Sequence, residues 1–158
     1  MHTSLRSLVS VFAGVVALAL LSAAAAAAPA GEEDLKALQG TWERTQVLGQ
    51  SATAGAREGR IVKEVKGNRE TVTTYDKDGT VTYAHVVEFR LERQGDVRVF
   101  TFFNREVTAG PSKGLKVVEP SSYIYRLHDD TLEEVWGFLP GQEKRDLLAA
   151  KWRRVRQQ

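Results

Sequence analysis

From Gly40 onward the chain alternates short runs of β-branched and aromatic residues with clusters of Gly, Asp, Asn and Pro. No other feature constrains the fold as strongly. The runs carry period-two rather than helical periodicity, and the residues that bound them are turn formers, so they read as strands. They are Trp42–Leu48, Arg60–Lys66, Arg69–Tyr75, Thr80–Glu92, Val97–Asn104, Ser121–Leu127, Thr131–Phe138 and Leu147–Val155. Gly67-Asn68, Asp76-Lys77-Asp78-Gly79, Gln94-Gly95-Asp96, Asp129-Asp130 and Pro140-Gly141 supply turns, being types that tolerate positive φ or preset a bend. Ser51–Gly59 is a Gly/Ala-rich loop. Arg105–Pro120 reads mostly as loop, with a short strand at Leu115–Val118. Glu32–Leu38 is one or two turns of helix, with acids at its start and Leu35 and Leu38 on one face. A sandwich or a barrel would use these strands equally well. Closure removes the exposed edges that invite aggregation, so the expectation is an all-β, closed antiparallel up-and-down barrel of about eight strands behind a short N-terminal helix.

Residues 1–30 are unlike the rest. Arg6 is the only formal charge among them, Leu8–Leu21 is almost wholly apolar, and Ser22–Ala30 is a run of small residues. A charged start, a short apolar core and an Ala-x-Ala-like exit are the parts of a secretory signal peptide. The apolar core is shorter than the roughly 20 residues that span a bilayer, although the alanines lengthen it enough to leave an uncleaved anchor as the competing reading. Cleavage near Ala28 or Ala30 would export residues 31–158 as one domain, without stable membrane insertion.

Composition then narrows the function. The absence of cysteine excludes disulfides, thiolate metal sites and thiol catalysis. A formal charge of +2 on 158 residues gives no electrostatic pull toward nucleic acid. Lys144-Arg145 and the Lys151–Arg156 tail are basic, but strand alternation distributes those groups over two faces, as solvated or ion-paired surface.

Leu35-x-x-Leu38-Gln39-Gly40-Thr41-Trp42 is a helix running into Gly-x-Trp at the start of the first strand, and Lys151-Trp152-Arg153-Arg154 puts basic residues on the last. This pattern resembles the lipocalin-like barrels. With Tyr125-x-Leu127-x-x-Asp130-Thr131-Leu132, it is most similar to a lipocalin-like family of exported proteins known chiefly from planctomycete bacteria. The resemblance covers both ends and about a third of residues 31–158; Thr80–Val118 matches no family pattern. It implies a barrel closed at one end by Gly40, Trp42 and a basic side chain, Arg153 or Arg154, packed over the indole. Physically, Gly40 permits close backbone approach, and a cation over the Trp42 face is worth ~0.5–2 kcal/mol. The alternative is a core tryptophan with no cation partner.

Two strands carry polar groups on apolar faces. Alternation in Thr80–Glu92 sets Val81, Tyr83, His85, Val87, Phe89 and Leu91 on one side. His85 is then either a ligand-contacting imidazole or a core histidine satisfied by a neighbour. In Thr131–Phe138, Leu132, Glu134, Trp136 and Phe138 alternate on one side. An inward Glu134 needs a partner, for which Arg44 and Arg126 are candidates, whereas a bulge would turn it to solvent; the bulge is the preferred reading. His85, Glu134, Trp136, Tyr83 and Arg44 are thus the ligand-binding candidates.

Catalytic motifs are missing. No Gly-x-Ser-x-Gly elbow or phosphate loop is present, and Gly110-Pro111-Ser112-Lys113-Gly114 is a turn. His128-Asp129-Asp130 suits a hairpin turn better than a cation site, Ser121 or Ser122 with His128 has poor triad geometry, and Glu133 and Glu134 face opposite sides. No enzyme activity, metal or cofactor is expected. The expected function is export and binding of a small hydrophobic or amphipathic molecule in the barrel. The alternative is a non-catalytic interaction or structural module of the cell envelope, with a packed interior and Arg105–Pro120 or the outer faces as its contact surface.

Overall fold

The computed structural model describes residues 31–49 and 59–156. The proposed signal peptide and most of the Ser51–Gly59 loop lie outside them. The elements are α1 (Gly31–Leu38), β1 (Gly40–Gly49), β2 (Ile61–Lys66), β3 (Arg69–Tyr75), β4 (Val81–Gln94), β5 (Val97–Ala109), β6 (Lys116–Val117), β7 (Ser121–His128), β8 (Thr131–Trp136) and β9 (Leu148–Arg154). Each main strand pairs antiparallel with its neighbours in sequence, β4 pairs β5, and β9 returns to β1. The result is a closed, eight-stranded up-and-down barrel with one short helix.

The region read as loop departs from expectation. Strand β5 runs on to Ala109, and Gly110 at φ 99° turns the chain back so that Arg105 and Glu106 pair with Val117 and Lys116 of β6. β6 and β7 lie along the same side of β5, and Pro120, which has no N–H to give a ladder, falls in the gap between them. At the other correction, β8 stops at Trp136, Gly137 takes φ 82°, and Phe138 is exposed rather than on the inner face.

One end of the barrel is closed by sequence-local devices. Helix α1 lies over it, burying Leu38 and Asp34; Asp34 accepts from the Tyr125 hydroxyl at 2.8 Å and pairs with Arg98 at 3.1 Å. The Trp42 indole is fully buried and donates to the Leu38 carbonyl at 2.8 Å. The Arg154 guanidinium stacks over that indole at 4.0 Å and donates to the carbonyls of Gln39 and Ala37 at the end of the helix. Gly40, at φ 109°, leaves the space this needs, since a Cβ there would stand 3.3 Å from Arg154 Nη1. Arg153 has no part in the closure. It alternates with Trp152 and Arg154 and faces out, opposite Glu43 and Thr131.

Above this floor the core is an aromatic ladder. Phe89 stacks on Phe100 at 4.4 Å, Phe100 on Tyr123 at 4.7 Å, and Tyr123 meets Trp136 at 4.6 Å. Such offset and tilted pairs add ~0.5–1.5 kcal/mol each beyond the area they bury. The ladder climbs from the closed end toward the opposite mouth, where the interior ceases to be filled.

Candidate functional site

The mouth half of the barrel holds a cavity of about 280 Å³. Its walls are mainly apolar: Ile61, Val72, Val87, Phe102, Trp136 and Leu148, with Trp152 and Tyr123 deeper. The inward face of each strand supplies them by period-two alternation. All five residues singled out from the sequence, Arg44, Tyr83, His85, Glu134 and Trp136, line this one cavity. Lys63, Glu70, Thr74, Arg105 and Tyr123 complete its polar set and escaped the sequence reading.

At the base of the cavity lies a buried ionic cluster. Glu134 is completely buried, not turned out by a bulge, because β8 runs in register with both β7 and β9. Its Oε1 takes the Lys63 ammonium and its Oε2 accepts the Trp152 indole N–H at 2.8 Å. Lys63 also pairs with Glu70 Oε2 at 3.1 Å, donates to the Tyr123 hydroxyl at 3.4 Å, and sits 4.5 Å over the Trp152 ring. Arg126, one of the expected partners of Glu134, faces outward and pairs with Glu133. Arg44 does share the cavity with Glu134; burial lowers its pKa, and the Glu134 charge opposes that shift.

Burial and charge compete within the cluster. Burial works against the Lys63 ammonium, but Glu134 and Glu70 outweigh it and hold its pKa above the ordinary lysine value. Burial pushes the Glu70 carboxyl up; Lys63 opposes this and the Glu134 charge adds to it. Burial, then Glu134, raises the Tyr123 phenol well above its usual range, so it stays a neutral hydroxyl. His85 is lowered to about 4 by burial, then by the Arg105 and Lys63 charges, so its imidazole is neutral near pH 7. Its Nδ1 is buried, and no group among the described residues hydrogen-bonds it.

Arg105 reaches the cavity through an irregularity that the alternation does not reveal. Phe100 and Phe102 face in, which would send Arg105 out. The β4–β5 register shifts between Val86↔Glu106 and Glu88↔Phe103, so that Asn104 and Arg105 oppose Val87 alone. Asn104 absorbs the extra residue at φ 52°, a left-handed conformation that asparagine tolerates better than most. The bulge inverts the alternation beyond it, turning Arg105 and buried Val107 inward.

The other sequence candidates separate from this site. Ser121 and His128 stand at opposite ends of β7. His128 is exposed, 2.9 Å from Asp129, while Asp130 pairs with Arg154 and Arg156, so the turn's groups engage their own neighbours. At the rim, Leu48, Val81, Phe138 and Leu147 are exposed around the mouth. No helix among the described residues is long and apolar enough to cross a membrane.

Compared with known proteins, the chain matches no family model, no curated protein and no solved structure.

Proposed function

We propose that this is an exported, non-catalytic, lipocalin-like protein that holds a small hydrophobic or amphipathic molecule in the mouth half of its barrel. One observation carries the reading: the barrel is sealed at the Trp42–Arg154 end, yet its interior stays unfilled beneath the opposite mouth, where apolar walls surround a few convergent polar groups. A purely structural barrel would gain from filling that space, because interiors otherwise pack to crystal-like density. Exposed apolar residues at the rim suit the entry of an apolar molecule. The same rim is what favours the second reading, an envelope interaction module that uses its mouth as a contact surface.

Native mass spectrometry of the purified protein, with a thermal-shift screen of fatty acids and isoprenoids, separates the two. Carriage predicts a co-purifying small molecule or a ligand-dependent rise in Tm. A bare protein with no shift from any compound would leave the interaction module. For the address, N-terminal sequencing of protein recovered outside the cytoplasm should begin just after Ala28 or Ala30; an intact Met1 would contradict it.

A further inference from the structure

Among the described residues, two buried side-chain nitrogens, His85 Nδ1 and Arg105 Nε, have no hydrogen-bond partner, whereas Glu70 Oε2 is held by the Lys63 ammonium at 3.1 Å. Both belong to residues that line the same cavity. Buried polar atoms are ordinarily satisfied, so their concentration around one space marks it as built for a polar group as well as an apolar one.

The sign of that group follows from the charges. The cavity lining holds three cations, Arg44, Lys63 and Arg105, against two carboxylates, Glu70 and Glu134, and Lys63 engages both carboxylates. A cationic ligand would be repelled by Arg105, whereas an anion would be drawn to it, because Lys63 already engages both carboxylates. Arg105 is also the residue that the Asn104 bulge turns into the barrel. A non-glycine residue held at positive φ is local strain that the surrounding ladder must sustain. Its visible consequence here is a further guanidinium in the cavity lining.

We propose that the ligand carries a carboxylate, seated by Arg105 together with His85, while its apolar part lies against Val72, Phe102 and Trp136. This rests on the reading of the cavity as a ligand site. The guanidinium fork matches a carboxylate's two oxygens, and a neutral imidazole still offers one N–H. The volume of about 280 Å³ suits a short-chain or single-ring acid; a longer tail would leave through the mouth.

The test titrates purified protein, and its Arg105→Met variant, with octanoate, 1-octanol, benzoate and benzyl alcohol, following tryptophan fluorescence. Circular dichroism and Tm of Arg105→Met establish that the variant folds before its binding is compared with that of the parent. In the parent, an acid should bind about tenfold or more tightly than the alcohol of the same skeleton, and the skeleton preferred distinguishes a chain from a ring. Arg105→Met should abolish that ratio while alcohol binding survives. Equal binding of acid and alcohol, or a ratio unchanged in the variant, would overturn the carboxylate assignment and leave the cavity reading intact. If none of the four binds, the carboxylate assignment falls, and the cavity reading falls with it only if the fatty-acid and isoprenoid screen is also blank. Should the variant not fold, the acid-to-alcohol ratio of the parent decides alone.

Discussion

Lys63 carries the largest electrostatic consequence of any single side chain. It is buried between two buried carboxylates, so its removal strands both, while removal of one carboxylate leaves it the other. Lys63→Met should therefore cost about 3–5 kcal/mol in urea denaturation, and Glu134→Gln clearly less, because the amide oxygen still accepts from Trp152. Equal losses would contradict the shared-cation geometry. His85 makes a pH prediction. With its folded pKa at about 4 and an ordinary value of 6.5, the unfolded chain binds the extra proton between those limits. Stability should fall as pH drops from about 6.5 to about 4, by at most roughly 3 kcal/mol from this residue. Glu70, raised by burial, works the opposite way, so the His85 contribution is the difference between the parent and His85→Phe. Urea midpoints for the two that stay parallel across that window would refute it. His85 and Glu134 stood out as candidates because each interrupts a plain apolar alternation, although the preferred reading turned Glu134 to solvent and its burial corrects that. Lys63 did not: in Ile61-Val62-Lys63-Glu64-Val65-Lys66 both faces mix apolar and charged residues, and only its position between Ile61 and Val65 hints at which way it points.

At the level of elements, the closed end is where the sequence was most informative, because its parts are local in the chain. Gly-x-Trp after a helix fixes the floor, and a basic residue on the last strand covers it. Alternation distinguishes the two arginines once Trp152 is placed inward: Arg154 shares its face and Arg153 does not. Arg154→Met should lower stability by about 2–3 kcal/mol, combining the lost stack over Trp42 with the lost hydrogen bonds to the helix end. Arg153→Met should stay within about 0.5 kcal/mol of the parent in the same thermal melt. The reverse order would mean that a different cation covers the indole. Strand β5 shows the opposite case. Its bulge at Asn104 has no composition signal, as asparagine there reads as a strand end, so the continuation to Ala109 and the inward turn of Arg105 were hidden. A period-two reading fails wherever one extra residue enters a ladder.

The whole molecule is a barrel whose two ends differ. Tight turns and the avoidance of open edges made its closure foreseeable, and the absence of cysteine meant that packing alone had to achieve it. How much of the interior would stay open was not readable, since it depends on the volumes of side chains arriving from eight strands. The central claim is that this space is a ligand site. A thermal-shift comparison of the parent with Val72→Trp, which places an indole into the cavity, tests it most directly. Any compound that raises the Tm of the parent should lose that effect in Val72→Trp, whose own fold is verified by circular dichroism. An equal shift in both proteins would put binding elsewhere on the surface and contradict the claim.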